Sequence, residues 1–259
     1  MVVAEDDRLR ILPAQGGVMS NEILHQHQAV WEQKPILRLL YTEWYRGIVS
    51  WLRPGRTLEV GGGTGNLKEF FPGVVCTDVV RLPWLDAVAD AQFLPFATNS
   101  LTNIVLFDTL HHIENVRLFF DEALRVLHSH GRLVIMDPYI SVLSWPVYHF
   151  LHPEPVDLSQ NPLALRQPMA NRQPFDANQA IATLVFERLF DQFSNLYPQY
   201  KKLCHHRLAF FAYPLSGGFD HPSLLPLWLV CPVLALEKAL PFLHRVCAFR
   251  VLVVLEKSE

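Results

Sequence analysis

The sequence is poor in charged residues and in cysteine. Charged residues make up only 18% of the 259 residues, and the net charge is −3. No basic stretch alternates with aromatic residues, so the electrostatic footprint of a nucleic-acid binder is missing. The four cysteines are scattered and form no C-x-x-C pair. Together with an acidic start that has no apolar run of signal-peptide length, they indicate a reduced, cytoplasmic setting.

Long uninterrupted apolar runs are also missing. The apolar segment at residues 223 to 236 covers fourteen positions and contains Pro226 and Pro232. A membrane-spanning helix needs about 20 apolar residues. We therefore expect no transmembrane span and a buried or interfacial helix here, which leaves peripheral contact with a membrane open.

Only twelve residues are glycine, yet four of them lie at positions 61 to 65, in the stretch LEVGGGTGNL. A strand that enters a glycine-rich turn followed by a helix places a ligand over the start of that helix. The dinucleotide pattern G-x-G-x-x-G, started from Gly61, requires a glycine where this chain has Asn66. The turn therefore favours a cofactor of another class.

Strands and helices alternate between residues 56 and 139. Apolar and β-branched segments predict strands at residues 56–62, 74–80, 101–110 and 131–139. The stretch NLKEFF predicts a helix from residue 66, and VRLFFDEALRVLHS predicts another between the last two strands. Strands that are apolar throughout are buried on both faces, as in a parallel α/β sheet.

The chain divides into four predicted segments. Residues 1–54 form a helical segment that closes the active site, 55–140 the α/β core, and 141–215 a cap and substrate region, while 216–259 add a helix and a closing strand. The cap is predicted because residues 138 to 178 hold seven prolines with aromatics interspersed. Helical spacing predicts helices within 20–52, and the later elements are predicted as a helix at 178–193, a strand at 205–215, a helix at 223–243 and a strand at 248–257.

The motifs in order resemble class I S-adenosylmethionine (SAM) dependent methyltransferases, in particular the small-molecule, type 11-like branch. The matching stretches are LEVGGGTG, CTDVV, DAQFLPF, FDTLHHI and LRVLHSHGRLVIMDP. They cover about a third of the chain, and the cap lies outside them. The resemblance implies a Rossmann-like fold with a mostly parallel seven-stranded sheet, helices on both faces, N-terminal helices and a cap insertion.

The resemblance also implies SAM as cofactor, S-adenosylhomocysteine as product, and a role for each motif residue. The glycines let the backbone approach the amino-acid end and the ribose, and Glu59 attracts the ammonium. Asp78 accepts the ribose hydroxyls with its two oxygens, while Asp90 and the backbone of Ala91 meet the adenine. The predicted cofactor-binding residues are Glu59, Gly61, Gly63, Gly65, Asp78, Val79, Asp90, Ala91 and Phe107.

The methyl group of SAM already has a good leaving group, so its transfer rests largely on positioning, with at most one base. His111 is the first candidate for that base and Asp108 its rival. If the fourth strand continues through LHH, His111 and His112 point to opposite faces, and His112 is a buried control. The pairs His25/His27 and His205/His206 lack a nearby acid cluster, so we predict no metal site.

The cap's aromatic residues indicate a small, partly hydrophobic organic acceptor. They are Trp145, Tyr148, Phe150, Tyr197, Tyr200, Phe210, Phe211 and Tyr213. Oxygen, nitrogen and carbon acceptors all stay open, as does the oligomeric state. Two alternatives remain: a SAM-binding partner protein without catalysis, and a methyltransferase on a membrane surface that acts on a lipid or quinone.

Overall fold

The computed structural model describes residues 17–167, 169 and 171–259, with side chains from residue 21. Two helices come first, α1 (Gly17–Gln33) and α2 (Pro35–Val49). They divide at Lys34 because Pro35, which has no N–H to donate, suits the first position of a new helix. The predicted N-terminal helices are confirmed.

Within the described residues, seven strands form one sheet in the order β3-β2-β1-β4-β5-β7-β6. Strand β7 is antiparallel to both of its neighbours, and the other pairs are parallel. The predicted mostly parallel, seven-stranded Rossmann-like sheet is confirmed. The strands are β1 Thr57–Val60, β2 Val74–Asp78, β3 Ala87–Val88, β4 Leu101–Phe107, β5 Leu127–Pro138, β6 Tyr200–Leu208 and β7 Arg250–Lys257.

Alternating side chains of the strands feed two separate cores, one on each face of the sheet. On one face, Ile104 and Leu133 pack with Phe119 of helix α3 (Val116–Val126). On the other face, Val105 and Val134 pack with residues of α2. The sheet is therefore covered by helices on both faces, as predicted.

The remaining described helices are short and lie in the cap and the C-terminal segment. They are α4 Ser144–Leu151, α5 Ile181–Thr183, α6 Phe190–Leu196, α7 Ala212–Ser216, α8 Leu227–Ala239 and α9 His244–Cys247. In the described part of the chain no single helix is long and apolar enough to cross a membrane. By length and composition alone, the pair Leu227–Ala239 and Pro241–Cys247, bent by 80°, passes that test.

Apart from the strand expected at 101–110, which ends at Phe107, four predicted elements differ markedly in extent from the structure. The helix expected from residue 66 is one 3₁₀ turn, Asn66–Glu69, and Pro72 follows it closely. The strand expected at 205–215 ends at Leu208, because Ala209 has a φ of 63° and turns the chain towards α7.

The other two are helices. The helix expected at 178–193 is interrupted by a π turn, Leu184–Arg188, and continues to Leu196. The helix expected at 223–243 is confined to α8, because Pro226 precedes its first turn and Pro241 starts a new one.

Candidate active site

The glycine turn leads from β1 into the 3₁₀ turn at the carboxyl edge of the sheet, and its geometry requires glycine. Gly61, Gly63 and Gly65 have φ angles of 68°, 47° and 74°, a region that side chains disfavour. A Cβ on Gly61 would lie 2.2 Å from Thr109 Cγ2. The hydroxyl of Thr109 donates a hydrogen bond to the Gly61 carbonyl at 3.1 Å. The turn is therefore pressed directly against the end of β4.

Glu59 lies beneath this turn and is 2% exposed. Its Oε2 accepts a hydrogen bond from the Cys76 thiol at 2.9 Å. Burial raises the pKa of Glu59 to about 7, although the hydrogen bond from Cys76 works in the opposite direction. A buried carboxylate without a cationic partner is costly, so an arriving ammonium would stabilise it.

The middle glycine of the triplet, Gly62, is required for a different reason. A Cβ on Gly62 would lie 3.1 Å from Glu59 Oε2 and 3.3 Å from Cys76 Cβ. These contacts are tighter than ordinary van der Waals packing. A glycine at this position therefore leaves the space that the buried Glu59 carboxylate occupies.

Asp78 ends β2 and holds the turn through backbone donors. Its Oδ2 accepts the N–H of Gly63 and its Oδ1 accepts the N–H of Val80, both at 3.0 Å. Each carboxylate oxygen has a second lone pair, so both remain able to accept a hydroxyl. The next residue, Val79, is 48% exposed and borders this edge. The ribose role of Asp78 stays a prediction.

Asp90 stabilises a tight turn rather than a helix. Its Oδ1 accepts the N–H of Gln92 at 2.8 Å, and its own carbonyl accepts the N–H of Phe93 at 3.0 Å. Ala91 is buried in the core on the α3 face. The arrangement leaves Asp90 Oδ2 contacting only the Gln92 amide, at 3.4 Å, among the described residues. Its contact with adenine stays a prediction.

Helix α1 and Trp84 lie over the glycine turn. The indole Nε1 of Trp84 donates to the Gly63 carbonyl at 2.8 Å, and His25 of α1 meets the Trp84 ring edge-on. Leu24 packs with Val80 and Leu82 in a small apolar cluster. These contacts bring α1 and Trp84 to the glycine turn, and sequence reasoning missed Trp84. Closure of the active site by the N-terminal segment stays a prediction.

At the end of β4, Phe107 and Asp108 face different surroundings. Phe107 points towards α2, stacks on Tyr41 and is 7% exposed. Asp108 has a φ of 53° and forms a salt bridge with Arg250. Arg250 is buried and donates to the Tyr213 hydroxyl at 2.8 Å.

The Arg250 guanidinium lies within an aromatic box. Its carbon is 4.5 to 5.8 Å from the ring centroids of Tyr41, Trp44, Phe107 and Tyr213. A cation among aromatic faces is stabilised electrostatically. Arg250 therefore joins the Asp108 carboxylate to the aromatic residues around its guanidinium. The only sequence signal for Arg250 is a charged residue inside the apolar strand AFRVLVVLE.

The two histidines after β4 do not point apart, so that prediction is wrong. The strand ends at Phe107, and Leu110–His112 form a 3₁₀ turn in which the alternation of a strand no longer applies. The imidazole centroids of His111 and His112 are 4.1 Å apart. Both rings contact Glu154 of the cap, His111 at 3.3 Å and His112 at 3.6 Å.

His111 is poorly placed to act as a base. It is 3% exposed, and its Nδ1 lies 3.0 Å from Asp137 Oδ1. Burial alone would lower its pKa, but the charges and hydrogen bonds of Asp137 and Glu154 raise it to about 10. Burial and the neighbouring His111 lower the pKa of His112 to about 3. The catalytic assignment of His111 stays a prediction that this geometry disfavours.

The cap aromatics lie mostly away from the glycine turn. Phe150 is 70% exposed, and Tyr148 is buried with its hydroxyl on the Phe249 carbonyl. Tyr197 packs against Phe120 in the α3 core. Tyr213 instead reaches the Asp108–Arg250 pair.

The other histidine pairs do not join the His111–His112 cluster. His27 stacks on Phe219, while His205 contacts Glu187. Between the α1–α2 junction and residues 219–227 lies a cleft of about 510 Å³, the 219–227 cleft. Its wall residue Phe219 is 5.5 Å from the Tyr41 ring, measured between centroids, so the cleft borders the aromatic box of Arg250.

Residues 58–135 match the family described as "Methyltransferase domain". Two relatives are named ubiquinone/menaquinone biosynthesis C-methyltransferase. The one from Cereibacter sphaeroides is 31% identical over 36% of this chain and 48% of its own length. The one from Dinoroseobacter shibae is 29% identical over 38% and 49%, respectively. The chain thus spans about half the length of the curated relatives it matches.

The fold is also similar to that of a solved SAM dependent methyltransferase from Archaeoglobus fulgidus. The two chains are 11% identical, with a TM-score of 0.50, over 85% of this chain and 94% of the other. At this identity the likeness concerns the fold alone. The predicted resemblance to SAM-dependent methyltransferases, with its cofactor class, is confirmed for the domain family and the fold.

Proposed function

We propose that this chain, which carries a methyltransferase domain at residues 58–135, transfers the methyl group of SAM to a small, partly hydrophobic acceptor. The carrying observation is the edge formed by the glycine turn, Asp78 and the buried Glu59. Three turn residues have positive φ, and Asp78 retains acceptor capacity on both oxygens. Glu59 is a buried carboxyl group that forms no salt bridge among the described residues, and burial raises its pKa to about 7 against the weaker influence of the Lys68 charge.

These residues fit the groups of the cofactor. Glu59 would attract the ammonium, the glycine backbone would approach the amino-acid end, and Asp78 would accept the ribose hydroxyls. The cofactor itself supplies a methyl group on a sulfonium, which already carries a good leaving group. The chain then has to bind, orient and shield the reactants, and no activated nucleophile is required of it.

For the acceptor, we propose an electron-rich ring with an apolar tail, such as a hydroquinone methylated on carbon. The support is the name of the relatives, which cover only part of this chain. The 219–227 cleft offers an apolar wall for a tail, with Val30, Ile36 and Leu225 among its lining residues. Its inner end borders Tyr41, whose hydroxyl is 3.4 Å from Arg250 Nη2.

The test is an assay with methyl-labelled SAM and a short-chain hydroquinone, analysed by mass spectrometry for label on a ring carbon. A catechol and a primary amine serve as competing acceptors, because oxygen and nitrogen methylation stay open. We expect labelled hydroquinone. Saturable SAM binding without turnover on any of the three acceptor classes would favour a non-catalytic SAM-binding partner protein.

A second candidate function is catalysis at a membrane surface, favoured by exposed apolar side chains on α4, on α8 and on the 3₁₀ turn Pro241–Leu243. Phe150 of α4, Trp228 of α8 and Phe242 of that turn are 70%, 75% and 71% exposed. The Leu143 N–H, just before α4, donates to the Val246 carbonyl of α9 at 3.0 Å, which brings α4 close to the C-terminal segment. Exposed aromatic and aliphatic residues on a short apolar helix suit the interface of a bilayer.

Flotation with liposomes tests this surface. We expect the wild type to float with vesicles, and the double variant Trp228→Asp/Phe242→Asp to stay in the dense fraction. Phe93→Asp is the matched control, because Phe93 is 67% exposed but belongs to the turn after β3. If all three proteins distribute alike, this membrane contact is excluded.

A further inference from the structure

We propose that His111, His112 and Glu154 form a binding site for a divalent transition metal of the zinc class, which fastens the cap to the carboxyl edge of the sheet. The inference is independent of methyl transfer. It rests on three donor groups that come from two distant parts of the chain, the turn after β4 and the cap.

The donor atoms are spaced as a metal ion requires. His111 Nε2 is 3.3 Å from Glu154 Oε2, and His112 Nε2 is 3.6 Å from Glu154 Oε1. One ligand atom from each of the three residues lies within 4.8 Å of the others. Zinc–nitrogen and zinc–oxygen bonds of roughly 2.0–2.2 Å at tetrahedral angles separate neighbouring ligand atoms by about 3.4 Å.

The residues behind the donors fix their orientation. Asp137, fully buried, lies 3.0 Å from Nδ1 of His111, and a carboxylate behind a histidine is the usual support of a zinc ligand. Glu154 contacts the Gln179 amide. The His111 carbonyl accepts the N–H of Asn178 at 2.9 Å. Glu154 of the cap and His111 of the turn after β4 are thus positioned before any ion binds.

The charge and the donor types favour a zinc-class ion. Asp137 and Glu154 bring two carboxylates to the buried imidazoles of His111 and His112, which suits a dication. Imidazole nitrogen with one carboxylate suits zinc, copper, iron and nickel rather than calcium or magnesium.

Without an ion, the same contacts form a buried cluster of ion pairs. Measuring whether the protein binds a metal ion distinguishes a metal site from such a cluster. The experiment titrates chelator-washed full-length protein with Co²⁺ and then Zn²⁺, and follows the visible d–d absorption and the melting temperature. We expect one ion per chain, d–d bands typical of a four- or five-coordinate site, displacement of Co²⁺ by Zn²⁺, and a zinc-induced rise in Tm that a chelator reverses.

Variants assign the site. His112→Gln and Glu154→Gln should abolish the d–d bands, and Asp137→Asn should weaken affinity by about 10- to 100-fold. The matched control is His206→Gln, which changes the second residue of the other adjacent histidine pair, on β6, where the nearest aromatic partner is His244. The His206→Gln variant should bind Co²⁺ as the wild type does.

Two results overturn the proposal. One is a wild-type protein that shows neither d–d bands nor a zinc-induced rise in Tm, a readout that does not depend on any variant folding. The other is equal Co²⁺ binding by the wild type and Glu154→Gln. SAM binding and turnover play no part in these readouts, so the test stands apart from that of the proposed function.

Discussion

The two halves of the sheet's carboxyl edge are built in different ways. At β1 and β2, the glycine turn is shaped by backbone conformation, and Asp78 is bound to N–H groups within fifteen residues of it. At β4 and β5, the site depends on side-chain pairs between distant parts of the chain. Asp108 and Arg250 are 142 residues apart in sequence. The first half depends on local backbone conformation, whereas the second forms only when distant parts of the chain come into contact.

The largest effect is expected in the side-chain half. Arg250→Met leaves the Asp108 carboxylate without its cation, and breaking a buried ion pair from one side costs about 3–5 kcal/mol. The free energy of unfolding, measured with urea, should fall by that amount. Lys238→Met is the control, since the Lys238–Glu43 pair is exposed and such pairs contribute less than about 1 kcal/mol. Equal losses in both variants would contradict this account of Arg250.

A glycine substitution tests the backbone half. Gly61→Ala combines left-handed strain with a 2.2 Å approach to Thr109, and the two together should cost about 3 kcal/mol. Gly47→Ala is the control, because a Cβ at this position, in the last turn of α2, meets no atom within 4 Å; it should stabilise the fold by about 0.5–1 kcal/mol. Thermal unfolding of both variants measures these changes in stability. A Gly61→Ala protein as stable as wild type would show that the turn is not backbone-defined.

The variant His111→Gln distinguishes two roles of His111, a catalytic base and a stabilising member of the buried cluster with Asp137 and Glu154. Loss of a general base lowers turnover by roughly a hundredfold, while loss of a charged hydrogen bond lowers the free energy of unfolding by about 2 kcal/mol. The contacts of His111 with Asp137 and Glu154 predict the second outcome. Urea unfolding and kcat of the folded protein measure both. A hundredfold loss of kcat at unchanged stability would restore His111 as the base.

The smallest effect concerns Glu59 and pH. Because burial raises its folded pKa to about 7, above the unfolded value, its contribution to stability is present at low pH and is lost as the pH rises through 7. Binding of an ammonium requires the charged form, so SAM affinity should fall about tenfold from about pH 7.5 to about pH 6. Calorimetry at both pH values should show little change for Glu59→Gln. Parallel pH profiles would argue against Glu59 as the ammonium partner.

The same division explains what the sequence could predict. The glycine turn, Asp78 and the alternating strands were predictable because strand, turn and φ preferences are local properties. The positions of Arg250, Asp137 and Glu154 were not, since their partners are brought close only by strand order and by the cap. The prediction that His111 and His112 point to opposite faces is wrong because Asp108, with a positive φ, ends the strand earlier than its apolar pattern suggests.

Binding of SAM to the wild type and to Asp78→Ala, measured by titration calorimetry, tests the central claim most directly. We predict saturable SAM binding to the wild type, no saturable binding of NADH, and an affinity for SAM that is weaker by about 2 kcal/mol in Asp78→Ala. That loss corresponds to charge-assisted hydrogen bonds to the ribose. Unchanged SAM affinity in Asp78→Ala, or tight NADH binding to the wild type, would contradict the placement of SAM at the glycine turn.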